Sequence, residues 1–225
     1  MRINEVSRRY AFDSCRNVRD LKALAEAVIP MNLQAARHYI QSRLAAELPD
    51  ALTYHSAEHT ADVCQAALNL AQLEGVTDET ALGCLELACL MHDAGFIESP
   101  HKHEQRACAL VDAWLPEFGV GEEERALIKE LILATELHSP ATTLLKQIMQ
   151  DADLDYLGRS DYSARAEGLR EELNQRGQRF SEADWIEFQI HFLSTHRYKT
   201  ASARELRQAG KQAHLEALKE RLNKK

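Results

Sequence analysis

No apolar run in the 225 residues approaches the roughly 18 positions that a membrane-spanning helix needs. The longest candidate, Leu82 to Met91, is broken by Glu86, so no membrane association is expected. The charged start, Met1 to Arg9, is not followed by the apolar stretch of a secretory signal, and a cytoplasmic location is the expectation. Nine Gly and five Pro are few for a fold of many short strands and turns. The five Cys, at 15, 64, 84, 89 and 108, are odd in number and form no CxxC pair, which disfavours a disulfide framework or a zinc ribbon. Most lie on apolar helical faces and are expected to be reduced and buried. A general excess of positive charge is also missing: the net charge is −8, which argues against a surface adapted to a nucleic acid polymer.

What is present favours helices. Ala, Leu, Glu, Gln and Arg are plentiful, and Leu21, Leu24, Ala25 and Val28, like Val63, Ala66, Ala67 and Leu70, follow the helical period, while strand alternation is nowhere sustained. The spacing predicts helices over 18–29, 31–47, 57–74, 78–93, 103–117, 122–138, 141–150, 161–176, 182–196 and 200–222. Thr77 and Asp78 offer one N-cap, Ser181 with Asp184 resembles a capping box, and Gly95 and Gly158 are placed to end helices. Pro30, Pro49 and Pro116 separate others. No linker or repeat divides the chain, so the expectation is an all-α, single-domain helical bundle. Its residues 1–50 would be an N-terminal helical extension packed on a core formed by 51–225. Charge is uneven: from Arg197 to Lys225 nine Lys or Arg stand against three Glu, either a solvated amphipathic helix or a rim that attracts phosphate.

The chain has ten His, and their positions matter more than their number. His92 and Asp93 end the apolar stretch LELACLMHD, which puts two metal-competent side chains beside a core. With ten His and twelve Asp, one HD pair is expected by chance about half the time, so the pair alone says little. Its company says more. Upstream, TYHSAEHTADV sets His55 before a helix, His59 one turn inside it and Asp62 three residues further on the same face. Downstream, QDADLDYLGR packs Asp151, Asp153 and Asp155 into five residues. Inward-facing ligands from separate helices of a bundle can meet on one ion, and two His with two Asp form a mixed nitrogen and oxygen set with positions left open.

The order His, His-Asp, Asp resembles the HD superfamily of metal-dependent phosphohydrolases. The likeness covers roughly residues 52 to 160: YHSAEHTADV is similar to the YHxxxHxxDV block of cyclic nucleotide phosphodiesterases, and LACLMHDAGF and DADLDYLGR follow in order. It implies an HD-type bundle in which His59, His92, Asp93 and Asp153 bind a divalent metal, with Asp151 in reserve for Asp153. The metal would be Mn, Mg, Fe or Co, with one ion or two. His55 matches the histidine that donates a proton to the leaving oxygen, and Glu104 is placed to polarise the attacking water. Some members bind a second metal through two further His, for which His103 and His138 are the candidates here. Lys102, Arg159, Arg197 and Lys199 are candidates for phosphate oxygens.

The implied activity is hydrolysis of a phosphomonoester or phosphodiester, of a nucleotide for preference, by a metal-activated water. The implied partner is therefore a small-molecule phosphoester, and the N-terminal helices offer a homodimer contact. Alternatives are a nucleotide-sensing module of weak activity, or an HD-fold di-iron oxygenase, which would need both His103 and His138. HDAGFI stands where stringent-response hydrolases carry HDxxED, and no GYP motif of cyclic dinucleotide hydrolases is present, so both narrower assignments are disfavoured. Trp114, Trp185, Phe188 and Phe192 fall on helical spacings and are expected in the core.

Overall fold

The computed structural model describes residues 30–224, and among these every regular element is helical. The chain runs through α1 (Leu33–Glu47), α2 (Ala57–Leu73), α3 (Glu79–Met91), α4 (His103–Trp114), α5 (Glu122–Leu133), α6 (Leu144–Asp153), α7 (Tyr162–Gln175), α8 (Glu182–Thr195) and α9 (Ala201–Asn223). Short 3-10 turns occupy Ala94–Ile97, Leu115–Phe118 and Asp155–Gly158. The all-α bundle expected from the sequence is what forms; the helix expected over 18–29 lies outside the described residues.

Side-chain caps fix many of the starts. Asn32, Ser56, Asp78, Thr143, Ser181 and Thr200 each accept a backbone N–H from three residues on, an arrangement that contributes about 1 kcal/mol per cap. Ser181 also donates its hydroxyl to the Asp184 carboxylate, 2.6 Å away. The expected stops at Gly95 and Gly158 need correction. The described glycines with left-handed backbone are Gly75, Gly119 and Gly177, whereas Gly95 and Gly158 lie inside 3-10 turns and permit close approach instead. A Cβ on Gly95 would lie 1.9 Å from the His103 carbonyl oxygen, and one on Gly158 would lie 2.2 Å from that of Arg207. The helix expected over 122–138 stops at Leu133, and residues 134–143 form a loop in which Gln150 Nε2 donates to the carbonyls of Ala134 and Ser139, both at 2.8 Å.

The bundle is organised around α3, whose residues from Gly83 to Met91 are all buried. This is a core helix, apolar on every side because α1, α2 and α5 all pack against it. Its one buried acid, Glu86, is paired with Arg37 of α1. Across the core, Cys89 Sγ lies 3.4 Å from Met149 Sδ of α6. Cys64, Cys84, Cys89 and Cys108 are free thiols, and burial pushes Cys64 up to about 12 and Cys84 and Cys108 up to about 11. They are therefore protonated packing groups rather than nucleophiles. Cys15 lies outside the described residues.

Candidate metal centre

Four side chains from three helices converge beside the end of α3. His59 comes from the first turn of α2, His92 and Asp93 from the end of α3, and Asp153 from the last position of α6. His92 Nε2 lies 3.2 Å from Asp93 Oδ2 and 3.5 Å from Asp153 Oδ1; His59 Nε2 lies 3.6 Å and 3.3 Å from the same oxygens. Ligand atoms about 2.1 Å from a common ion stand about 3.0 Å apart at octahedral corners and about 3.4 Å apart at tetrahedral ones. The observed separations match that spacing.

Hydrogen bonding tests the fit independently. His92 Nδ1 lies 2.7 Å from the Cys89 carbonyl oxygen, so its proton is held there and the Nε2 lone pair faces the cluster. His59 Nε2, His92 Nε2 and Asp93 Oδ2 are all buried with no hydrogen-bond partner. Native structures rarely leave three such atoms together, because each unsatisfied polar group costs about 1–3 kcal/mol. With both imidazoles neutral, as metal ligation requires, the two carboxylates would leave net negative charge in a low-dielectric site, which a divalent cation would offset. Burial works against ionised Asp93 and Asp153, yet the surrounding imidazoles hold both well below the usual carboxylate range. Burial likewise opposes a charged His92, but Asp93 and Asp153 raise it well above the usual histidine range.

The other sequence candidates divide. His103, the first residue of α4, places Nε2 3.5 Å from Asp93 Oδ1 and 3.3 Å from Glu104 Oε1, so the second oxygen of Asp93 faces away from the quartet toward a further His and Glu. His138 does not join them; it sits exposed in the 134–143 loop with left-handed backbone at φ 69°. Among the described residues, His138 therefore does not complete the six-ligand set that a di-iron site would need. Lys102 is exposed ahead of α4, also in left-handed backbone, and does not line the cavity beside the centre. Arg159 does not line it either: its guanidinium holds both oxygens of Asp62 at 2.9 Å and Asp161 at 2.7 Å. Asp62 is thus a clamp for Arg159 and Arg165. Asp151, the reserve ligand, accepts from the backbone N–H of Lys199 and Thr200 and from the Thr200 hydroxyl, all within 2.7–3.0 Å, and is fully engaged.

The centre opens onto a cavity of about 240 Å³. His55 and Glu104 line it near the ligands; Trp185, Phe188 and Phe192 of α8 line it opposite. The core expectation holds for Trp185, which is 3% exposed, and Phe192 packs against the core; it is corrected only for Phe188, which is 40% exposed. Trp114 is likewise a core residue.

One functional residue escaped the sequence reading. Glu172 of α7, 1% exposed, sets Oε1 2.6 Å from His55 Nδ1, while Oε2 accepts the N–H groups of Tyr54 and His55, each at 3.0 Å. His55 Nδ1 donates to this carboxylate, and its ring stacks on Phe96 at 4.4 Å. Burial would raise Glu172, but the bonds from His55 and the two amides hold it below the usual glutamate range. In sequence, Glu172 is one acid among several on a polar helix, 117 residues from its partner, and nothing local marks it.

Residues 56–155 match the model of the HD domain. This segment is an HD domain. Two solved structures share the fold. The Lin1889 protein of Listeria innocua is 19% identical with a TM-score of 0.58, covering 85% of this chain and 95% of that one. A protein of Lactobacillus plantarum is also 19% identical, with a TM-score of 0.60, covering 88% and 100%. No curated protein matches the chain. The match over residues 56–155 suggests a superfamily of metal-dependent phosphohydrolases, and among the described residues His59, His92 and Asp93 form a group able to hold a metal ion.

Proposed function

We propose that the chain hydrolyses a small phosphoester, of nucleotide type, using one divalent cation held by His59, His92, Asp93 and Asp153. The observation that carries this reading is the trio of buried, unsatisfied ligand atoms on His59, His92 and Asp93, the last two lining a cavity that also contains a carboxylate-fixed histidine. A bound cation would polarise a phosphoryl oxygen and lower the pKa of a water. Mn, Mg, Fe and Co all suit two imidazoles with two carboxylates.

The chain supplies the proton handling. Glu172 ties down His55 Nδ1 and leaves Nε2, on the other edge of the ring, to protonate the departing oxygen. Glu104 lines the same cavity from the start of α4 and is positioned to accept the proton of the attacking water. The aromatic wall formed by Trp185, Phe188 and Phe192 offers a nucleobase an apolar surface, which supports the nucleotide assignment.

The test pairs metal analysis of the purified protein with release of phosphate or nucleoside from a nucleotide panel in manganese. About one metal per chain with hydrolysis is the expected result. Two irons without hydrolysis, or no metal at all, would overturn the reading.

A further inference from the structure

A second cavity, of about 540 Å³, shares Asp153, Leu154, Leu137, Phe188 and Phe192 with the first and extends away from the centre. Its far wall includes His196, Arg197 and Lys199, between α8 and α9. Behind the wall Lys211 of α9, 2% exposed, donates from Nζ to the His196 carbonyl at 2.8 Å and stands 3.3 Å from His196 Nδ1.

Most Arg and Lys side chains of the described residues pair with carboxylates, as do Arg43, Arg106, Arg159 and Arg207. Arg197, Lys199 and Lys211 do not. Arg197 donates only to the carbonyls of Ser194 and His196, at 2.5 and 2.8 Å. Asp151, the carboxylate beside Lys199, has its oxygens taken by two backbone amides and a hydroxyl. Glu136, on the opposite wall, accepts from Gln105. Lys211 is buried, and the field of Asp151 is the carboxylate contribution that favours its charge, while Arg197 and Lys199 line the cavity with no carboxylate bonded to their side chains. Burial and the neighbouring cations push His196 down to about 3, so its imidazole is neutral and adds no competing charge.

We propose that this wall is a second anion subsite, and that the substrate of the centre is a phosphoester carrying a further phosphate-like group on the side away from the scissile bond. Leu137, Phe188 and Phe192, common to both cavities, would span the apolar part between the two anionic ends. The substrate assignment rests on the phosphohydrolase reading; the anion subsite does not.

The first experiment titrates the full chain, treated with chelator, with inorganic tripolyphosphate by calorimetry. The double variant Arg197→Gln with Lys199→Gln should bind about tenfold more weakly than the unmodified chain. Lys219→Gln with Lys224→Gln, which removes the same charge further along α9 and past its end, should not weaken binding. Equal affinity in all three overturns the subsite. Circular dichroism verifies the fold, and Lys199→Gln alone, with a loss of about threefold, serves if the double variant does not fold. In manganese, the unmodified chain should prefer a nucleoside 3′,5′-bisphosphate to the 5′-monophosphate by about tenfold in kcat/KM, and the double variant should lose that preference. Equal use of both by the unmodified chain overturns the substrate assignment. Tripolyphosphate binding as expected with no hydrolysis of either nucleotide upholds the subsite and removes the phosphohydrolase reading.

Discussion

Asp151 and Asp153 stand two residues apart on α6 and have opposite surroundings. Asp151 accepts from Lys199, Thr200 and the Thr200 hydroxyl, and so fastens the start of α9 to the end of α6. Asp153 has only the imidazoles of His59 and His92 for company. The carboxylate of the first has every oxygen hydrogen-bonded: Thr200 in turn caps α9, and nearby Arg207 binds Asp155 at 2.6 Å. The second is complete only with a cation. A buried carboxylate whose oxygens are saturated by amides is an anchor, whereas one facing only imidazoles is a candidate ligand.

The comparison breaks most visibly at Asp93. Asp93→Ala should remove metal and lower turnover by about 10³-fold, since a cation contributes several kcal/mol to the transition state. Helix content should hold, and normal turnover in that variant would sink the proposed site. Asp151→Ala should do the reverse. It strands two backbone donors and a hydroxyl, costing about 2–4 kcal/mol, so thermal melting should move down by roughly 5–10 °C while metal per chain is unchanged. Loss of metal in this variant would mean that Asp151 is a ligand after all.

Glu172→Gln sharpens the same contrast in a third place. Metal content should persist, and kcat should fall about 10–100-fold as His55 loses its fixed orientation. His55→Ala combined with Glu172→Gln should be no worse than His55→Ala alone, which a double-mutant cycle on kcat measures; a purely structural Glu172 would give additive losses.

The smallest effect is on protons. Without metal, Asp93 and Asp153 are held below the ordinary 3.8 and His92 above the ordinary 6.5. The carboxylate contribution to stability is therefore present above about pH 4 and lost as acid protonates them; the His92 contribution is full below about pH 6.5 and lost as pH rises through its higher folded value. Metal must displace the His92 proton, so apparent affinity should rise with pH from 6 to 8. Titrations in buffers of different ionisation enthalpy should show up to one proton released per metal. No release at pH 7 would place His92 outside the ligand set.

Much of this was legible in the primary structure. The helical period gave elements within a few residues of those observed, because each amphipathic face buries against α3 or its neighbours. The four proposed ligands were legible because three short blocks each put a metal-competent side chain at a helix start or end, where it can leave the core surface. His138, by contrast, was a second-metal candidate beside His103 or else an exposed residue near a helix end, and it is exposed. The outcome turned on where α5 stops and on Gln150 holding the following loop.

The sequence by itself determined the all-α fold of the described residues, the burial of most of their thiols and the His and Asp blocks, since periodicity, caps and local spacing are short-range properties. Tertiary structure decided which carboxylate is held by amides and which faces the imidazoles, that Glu172 reaches His55 across 117 residues, and that the side chains of Arg197 and Lys199 line one cavity wall without a bonded carboxylate. The physical reason is that hydrogen-bond satisfaction and charge pairing depend on what surrounds a group in space. Sequence neighbours as near as Asp151 and Asp153 can differ completely in both.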